Sequence, residues 1–300
     1  MAESYPVGEL IQFWRYSLQA RNLSEKTISL YVEAAQQLVD WLESEGHPTE
    51  PDQIGQRHLN AFIMHLLDTR SDSTANSRYR SLRQFWKWMD AEGDIIESDP
   101  FLKMSPPKIG EAVVPVVELD HLRKLLAACK GTDFESRRDY TMFSMLLDTG
   151  ARLSELAGMR VDDIDMRFEV VVVKGKGDRD RALPLSPKML EQLGRYLRAR
   201  GRHKAAESEW LWLGKRGRLS SSGIAQALKR RADEAGIPHI TPHQFRHTFA
   251  HQFLSSGGNE GDLMLLAGWK SRQMVDRYGA SAKAERARKA HRQHSPLNDL

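Results

Sequence analysis

The chain has 300 residues, of which 40% are apolar, and a net charge of +4 with a pI near 9.1. This length suits one large domain or two ordinary ones, and the apolar fraction can build a core. The single cysteine excludes a disulfide framework within the chain. We expect no secretory leader, because MAESYPVGELIQ has no signal-peptide pattern, and no membrane span, because no apolar run is long enough.

The distribution of charge is more informative than its total. Residues 1–60 contain four Lys or Arg against nine Asp or Glu, whereas residues 198–231 contain ten against two. A basic stretch of that density is either a solvated face or a site for a polyanion, and charge alone favours nucleic acid as the partner. Cys129 lies in the apolar run LRKLLAAC, so we expect a buried small hydrophobe in a reducing cytoplasm.

Residues 1–95 predict four helices, because apolar residues recur at helical spacing along them. The fourth helix, from about Thr74 to Ala91, differs in carrying a basic cluster among aromatic residues. We expect Phe85 and Trp88 in the core. In a domain that is otherwise acidic, the basic cluster predicts a face that contacts phosphates. The members of this cluster are Arg78, Arg80, Arg83 and Lys87.

The helical spacing of apolar residues stops in residues 96–115, which contain four prolines. This stretch is therefore predicted to be an interdomain linker. Beyond it the pattern predicts helices, then a β-hairpin with a basic turn, then more helices. The helices are Glu118–Cys129, Phe134–Leu147, a short one in SELAGM, Lys188–Arg200 and Ser222–Ala235, and the hairpin strands are Val170–Val173 and Ala182–Leu185. The basic loop GKRGR contributes three further candidate phosphate contacts, Lys215, Arg216 and Arg218.

The stretch from Thr241 to Tyr278 holds the candidate chemistry. Thr241 and Pro242 predict an N-cap and the first helical position, so His243 and Arg246 share a face in the first turns. Unpaired N–H groups and the dipole at such a helix start suit a phosphate. Together with Tyr278, these residue types indicate phosphoryl transfer to a protein hydroxyl nucleophile.

Two alternatives belong to other functional classes. His243, His247 and His251 follow each other at four-residue spacing, which is the spacing of a zinc helix and would indicate a metal-dependent nuclease or hydrolase. The stretch lacks the Glu of HExxH and a carboxylate cluster, and His243 and His251 are about 12 Å apart by helix rise. The other alternative is a DNA-binding module without catalysis, against which the full set of candidate catalytic residues argues.

The motifs HQFRH, LLAGW and a Tyr nine residues after the Trp resemble the tyrosine recombinase, or phage integrase, family. TGARLSEL at Thr149–Leu156 and KGKGDRDRALPL at Lys174–Leu185 match the same family upstream, in the same order. The resemblance implies a mainly α fold with a small β-sheet, in which a SAM-like core-binding domain and a catalytic domain form a C-shaped clamp on DNA. It implies a Xer-like or Cre-like arrangement without an arm-binding domain. The implied divisions are a core-binding domain at 1–95, a linker at 96–115, a catalytic domain at 116–280 and a tail at 281–300 that is exchanged between subunits.

The resemblance also implies a site-specific recombinase that cleaves and rejoins DNA through a covalent 3′-phosphotyrosine on Tyr278. Arg152 and Arg246 would hold the nonbridging oxygens of the phosphate. Lys176 would protonate the departing 5′ oxygen, with Lys174 and Arg179 in the same turn; GKG favours Lys176, and the choice between Lys174 and Lys176 stays open.

His243 and Trp269 complete the catalytic set that the resemblance implies, and Glu155 and His247 are supporting residues. His243 would assist proton transfer or bind the phosphate, and Trp269 stands where the family more often has His. Since an indole donates a hydrogen bond but cannot shuttle a proton, Trp269 is expected to bind phosphate and pack against the Tyr. Two roles are open for Glu155: a structural or proton-network role, or a plain ion pair. His247 is expected to pack internally.

No cofactor or metal is implied. The implied partners are double-stranded DNA and three further copies of the chain, as a homotetramer on two DNA sites, with room for an accessory directionality factor. No membrane partner is expected, and the expected location is the cytoplasm, at the nucleoid.

Overall fold

The computed structural model describes residues 5–93, 95–110, 115–175 and 180–299, with the backbone alone for part of the last helix. The chain divides into two units, Met1–Ala112 and Val113–Leu300, and the division lies within the proposed linker. No helix in the described part of the chain is both long enough and apolar enough to cross a membrane.

The first unit consists of the four helices that the apolar stripes predict. They are α1 (Val7–Ala20), α2 (Glu25–Ser44), α3 (Gln56–Thr69) and α4 (Asp72–Glu92). Ser24 caps α2 by accepting a hydrogen bond from the Thr27 N–H at 3.2 Å, and Ser71 caps α4 in the same way. The core of this unit is aromatic: Trp14 of α1 stacks on Phe85 of α4 with ring centroids 4.5 Å apart.

The fourth helix confirms the core position of Phe85 and corrects the prediction for Arg78. Phe85 is fully buried, and half-buried Trp88 stacks on it. Arg78 is also buried: it donates hydrogen bonds to the Leu30 carbonyl at 3.3 Å and to Glu33 at 2.6 Å, so it joins α4 to α2. The reason is that Arg78 lies on the inner face of α4, where a guanidinium needs partners from the protein. The other three cluster members, Arg80, Arg83 and Lys87, are exposed.

The second unit is also mainly helical. Its helices are α5 (Leu119–Ala128), α6 (Phe134–Thr149), α7 (Leu153–Ala157), α8 (Pro187–Arg200), α9 (Ser221–Glu234), α10 (Pro242–Ser255), α11 (Glu260–Ala267) and α12 (Arg272–His294). The predicted hairpin is confirmed as β2 (Val170–Lys174) and β3 (Asp180–Pro184). A short strand that the sequence did not predict, β1 (Ile164–Asp165), pairs antiparallel with β2, and the sheet order is β1-β2-β3. The predicted basic loop forms a second hairpin from β4 (Leu213–Gly214) and β5 (Gly217–Arg218).

Helix α6 lies at the centre of the second core. Its inner face buries Met142, Phe143 and Leu146, and the Phe143 ring lies 6.4 Å from that of Phe245 on α10. Cys129, just after α5, is buried as predicted. Burial raises the pKa of its thiol to about 12, which makes it unreactive at neutral pH.

Part of the basic stretch 198–231 is internal rather than a surface for a polyanion. The buried Arg200 donates hydrogen bonds to the carbonyl oxygens of Leu211 at 3.1 Å and Trp210 at 2.8 Å. Arg231 donates to the fully buried Asp139 at 3.0 Å. The density of basic residues in the sequence therefore overstates the extent of the basic surface, because some of these guanidinium groups bind backbone carbonyls and a buried carboxylate.

Candidate active site

The first turn of α10 has the predicted geometry. Thr241 is the N-cap and Pro242 the first helical residue, and the Gln244 side chain accepts a hydrogen bond from the Thr241 N–H at 2.8 Å. His243 is exposed, whereas His247 is buried, as predicted, with its ring edge-on to His243 at a centroid distance of 4.8 Å. This turn therefore presents one imidazole to solvent and holds the next inside the unit.

Arg246 connects three of the sequence motifs. Its Nη1 donates a hydrogen bond of 2.8 Å to the carbonyl of Gly150, and its Nη2 donates to the carbonyl of Ala267. Its guanidinium carbon lies 5.4 Å from the centre of the Trp269 ring. Gly150 precedes Arg152 by two residues, and Ala267 precedes Trp269 by two. One buried side chain thus brings TGARLSEL, HQFRH and LLAGW together.

The turn between α6 and α7 depends on a glycine. Gly150 ends α6 with a φ of +61°, in the left-handed region that favours glycine. A Cβ at this position would lie 2.4 Å from Cδ1 of Phe249 on α10. The absence of a side chain therefore serves both the turn and the close approach of α10.

Helix α7 begins at Leu153, directly after its N-cap residue Arg152, and Glu155 anchors this turn. The two oxygens of Glu155 accept hydrogen bonds from the Arg152 N–H and Nη1, each at 2.7 Å. They also accept a bidentate pair from Arg181, at 2.7 and 2.9 Å. The Glu155 side chain is 3% exposed and that of Arg152 is 40% exposed. The carboxylate therefore orients Arg152 while leaving its guanidinium accessible to a ligand.

The charge state of Glu155 follows from two opposing effects. Burial alone raises the pKa of this carboxyl, but hydrogen bonds from Arg181 and Arg152 outweigh it, and the pKa falls below its ordinary value. Glu155 is therefore ionised at neutral pH. Of the two roles that the sequence left open for it, the structure contains the ion pair.

Arg181 is a further residue of this site, and no sequence motif singled it out. It lies on β3 two residues before the fully buried Leu183, so both side chains face the same side of the strand. A charged residue at an inward-facing strand position requires a buried partner. The alternation of side chains along β3 could therefore have identified Arg181 from the sequence. Arg181 also lies against the turn before Trp269: a Cβ on Gly268, whose φ is +62°, would lie 3.1 Å from Nη1 of Arg181. This residue ties the hairpin to α7 and to the end of α11.

Three residues named from the sequence are described in part or not at all. Lys176 lies outside the described residues, as does Arg179, while Lys174 is exposed at the end of β2. Only the backbone of Tyr278 is described, in the second turn of α12. At the next residue, a Cβ on Gly279 would lie 2.6 Å from Leu254 of α10. The backbone of α12 at Tyr278 therefore runs directly beside the helix that carries His243 and Arg246.

A fourth basic residue lies near α7. Arg218 of β5 places its guanidinium carbon 3.4 Å from the centre of the Trp210 ring and donates a 3.3 Å hydrogen bond to the carbonyl of Ala157, the last residue of α7. A second guanidinium, that of Arg160, lies 5.0 Å from the same ring. These contacts hold exposed Arg218 in place beside the helix that follows Arg152. Lys215 and Arg216 are exposed at the turn of the same hairpin.

The histidines of α10 were the basis of the metal-dependent alternative. Within the described ranges, no group of three or more His, Cys, Asp or Glu side chains is placed to hold a metal ion. His243 and His247 instead face different environments, one solvent and the other the interior. Nothing in the geometry of this helix favours the metal-dependent alternative.

Comparison with known proteins agrees with this geometry. Residues 115–285 match the phage integrase family, and residues 10–92 match the phage integrase N-terminal SAM-like domain. The chain is 31% identical to the tyrosine recombinase XerC of Stutzerimonas stutzeri over 87% of each protein. It is 29% identical to the tyrosine recombinase XerD of Lacticaseibacillus casei, over 84% of this chain and 86% of that one.

A solved structure has the same fold. A lambda integrase tetramer bound to a Holliday junction superposes with a TM-score of 0.73 at 18% identity, covering 93% of this chain and 78% of that one. Both structural units of the chain are thus matched by parts of one family, and its relatives align along most of their length. The chain belongs to the phage integrase family and is a site-specific tyrosine recombinase, an enzyme that cleaves and rejoins DNA strands.

Proposed function

We propose that this enzyme recombines two duplex DNA sites through a covalent 3′-phosphotyrosine on Tyr278. The observation that carries the proposal is the position of Arg246, which joins the turn before Arg152 to the turn before Trp269. Two guanidinium groups and an exposed imidazole thereby belong to one site, beside the helix that carries Tyr278. That combination is suited to binding a phosphodiester and stabilising the charge that develops on it.

The chemical step requires a nucleophile and a proton for the leaving group. The Tyr278 oxygen attacks phosphorus, so a phosphorus–tyrosine bond forms while the bond to the 5′ oxygen breaks. The phenolic proton passes to His243, and the 5′ oxygen receives a proton from Lys176, with Lys174 as the alternative in the same turn. Attack by the 5′ hydroxyl of a second duplex reverses these transfers and rejoins the strands.

The arginines stabilise the transition state in this scheme. Arg152 and Arg246 bind the nonbridging oxygens, because a guanidinium remains charged at any working pH. Exposed Arg152 can form two parallel hydrogen bonds to phosphate, whereas Arg246, which already donates from Nη1 and Nη2 to two carbonyls, attracts the phosphate through its charge. Glu155 positions Arg152, and Trp269 donates its indole N–H and packs near Tyr278. His247 supports His243 from the interior.

Exposed basic residues in both units provide phosphate contacts outside the site. Arg80, Arg83 and Lys87 belong to the first unit, and Lys215, Arg216 and Arg218 belong to the second; buried Arg78 is removed from this set. By analogy with the lambda integrase tetramer on a Holliday junction, the active form is a homotetramer on two DNA sites. An accessory protein that sets direction is compatible with this assembly. We expect the enzyme to act in the cytoplasm, at the nucleoid.

Covalent trapping tests the assignment of Tyr278. After incubation with fragmented DNA from its source organism, the protein should form a covalent protein–DNA adduct that survives denaturant. Sequencing the DNA end attached to the protein identifies the cleaved site. Tyr278→Phe should bind that site and form no adduct, whereas Tyr16→Phe, an exposed tyrosine of α1, should form a normal one. A normal adduct yield from Tyr278→Phe would overturn the assignment.

Chelation separates this mechanism from the metal-dependent alternative. Cleavage should persist in excess EDTA, because arginine and lysine side chains supply the charge stabilisation that a metal would otherwise supply. Loss of cleavage in EDTA and its return with zinc would assign the reaction to the His243/His247 helix instead.

A further inference from the structure

A basic groove lies between α6 and α8, outside the site described above. Its main cavity, of about 580 Å³, is lined by Lys130 before α6, Arg137 of α6, and Arg195 and Arg198 of α8. An adjoining cavity shares Arg137 and Arg198 and adds Arg202. The five cationic side chains thus follow one continuous concave surface.

Most of these charges form no ion pair with a carboxylate in the part of the chain that the structure describes. Among the described ion pairs, Arg195 pairs with Glu191, whereas Lys130, Arg137, Arg198 and Arg202 pair with no carboxylate. Elsewhere in the same unit, Arg138, Arg230 and Arg231 share the buried Asp139. The groove therefore concentrates positive charge that repels itself and attracts an anionic ligand.

The groove continues into an apolar slot. A cavity of about 190 Å³ shares Tyr140 and Gln192 with the basic cavity, and its apolar lining is Leu126, Leu147 and Met189. Its polar lining is Ser144, Asp148, Ser186 and Lys188, and the Asp148 carboxylate accepts a hydrogen bond from the Ser186 N–H at 2.9 Å. The groove thus has cations at one end and a slot for a large apolar side chain at the other. This surface is complementary to an amphipathic acidic segment.

We propose that this groove binds an acidic segment of a partner protein that inserts a large apolar side chain into the slot. The phosphates of a nucleic acid backbone would pair with the cations, but that backbone has no large apolar group to fill the slot lined by Leu126. The tail of a second copy has the wrong charge for these cations, because residues 281–300 contain five Lys or Arg against one Glu and one Asp. Its large apolar residues, Leu297 and Leu300, follow directly after that basic stretch. Charge complementarity thus selects an acidic segment, and we assign it to a different protein.

Docking in this groove leaves the active site free. Arg137, Tyr140 and Ser144 lie along one face of α6, whereas Phe143 and Leu146 face the core and α10. A partner bound there contacts a different face of α6 from the one that packs against α10, the helix that carries His243 and Arg246. This position allows a partner to hold or recruit the enzyme without covering its catalytic residues.

The test uses a fluorescein-labelled synthetic helix of Glu and Leu, and the same peptide with Lys in place of Glu. The full chain should bind the Glu peptide at physiological salt and not the Lys peptide. Two variants should each weaken binding of the Glu peptide by about tenfold or more. One is the double variant Arg137→Glu with Arg198→Glu, and the other is Ser144→Leu, which fills the slot. Arg123→Glu, an exposed arginine of α5 outside the groove, is the matched control and should change binding by less than about twofold.

Three results would overturn the proposal. The first is no binding of the Glu peptide, and the second is equal weakening by Arg123→Glu. The third is loss of duplex DNA binding in the double variant while peptide binding persists, which would make the groove a phosphate surface. The variants should keep a normal yield of the covalent DNA adduct, so the outcome is independent of the role assigned to Tyr278.

Discussion

Arg246 of α10 donates a hydrogen bond of 2.8 Å to the carbonyl of Gly150, which lies 96 residues earlier in the chain. Gly150 adopts a left-handed conformation and lies against Phe249 of the same helix α10. The position of Arg152, two residues on, is therefore set by a turn that α10 contacts twice. The spacing of Arg152 and Arg246, the two arginines proposed to bind the phosphate, is a property of this contact rather than of either motif alone.

Replacing Gly150 with alanine tests this contact. Gly236→Ala is the control, because Gly236 has a nearly equal φ of +62° and no atom within 4 Å of an added Cβ. The control should lose about 1–2 kcal/mol of unfolding free energy from backbone strain alone. Gly150→Ala should lose about 2–5 kcal/mol, because the clash with Phe249 adds to that strain. Urea titration measures both, and equal losses would contradict the packing role of Gly150.

The lowered pKa of Glu155 predicts a pH dependence of stability. A carboxyl whose pKa is lower in the folded than in the unfolded state stabilises the fold above its ordinary pKa, and that contribution disappears as the pH falls through the folded value. Glu155→Gln should cost about 3–5 kcal/mol at neutral pH, because it leaves Arg181 without its buried partner. The difference from the wild type should narrow as the pH falls below about 4.

Denaturant unfolding at several pH values measures this effect. Asp120→Asn is a suitable control, since the pKa of Asp120 is also lowered, by Lys124, but both groups are exposed. Its effect should be small at every pH. A Glu155→Gln deficit that stays constant down to acidic pH would contradict the linkage.

Salt dependence distinguishes true phosphate contacts from ordinary surface charge. Replacing one contacting residue by Gln should reduce the slope of log affinity against log salt by roughly one unit. The residues to replace are Arg80, Arg83, Lys87, Lys215, Arg216 and Arg218. Lys26→Gln, an exposed lysine of α2, should leave the slope unchanged. Six unchanged slopes would leave these residues as a solvated face.

The end of α12 bears on the predicted exchange of the tail between subunits. The helix runs without a break from Arg272 to His294, across the proposed boundary between 280 and 281, and Ala282 is buried with Leu254 and Val275. A truncation at 280 would therefore expose the protein's own core. A chain ending at Arg286 keeps Ala282 and removes exposed residues such as Arg288 and Leu297.

That shorter chain should bind a single half-site nearly normally and lose cooperative occupancy of the second, along with recombination, if the tail reaches a neighbouring subunit. Gel shifts on half-sites and full sites measure both. Undiminished cooperativity would show that the residues after 286 do not connect subunits.

Much of this protein was determined by local sequence. Apolar spacing located the helices of both units, Thr241 and Pro242 marked the start of α10, and the ordered motifs indicated the family. These features depend on residues within about one or two turns of each other, so the sequence displays them directly.

Only the tertiary structure decided the fate of individual charged side chains. Arg78 and Arg80 lie on one helix with similar neighbours, yet one is buried against Glu33 and the other is exposed. Arg181 became part of the site because Glu155, 26 residues earlier, folds against it. A long side chain finds its partner across the fold rather than along the chain, and the cost of burying an unpaired charge makes that partner decisive. Nothing in local periodicity records where such a partner will lie.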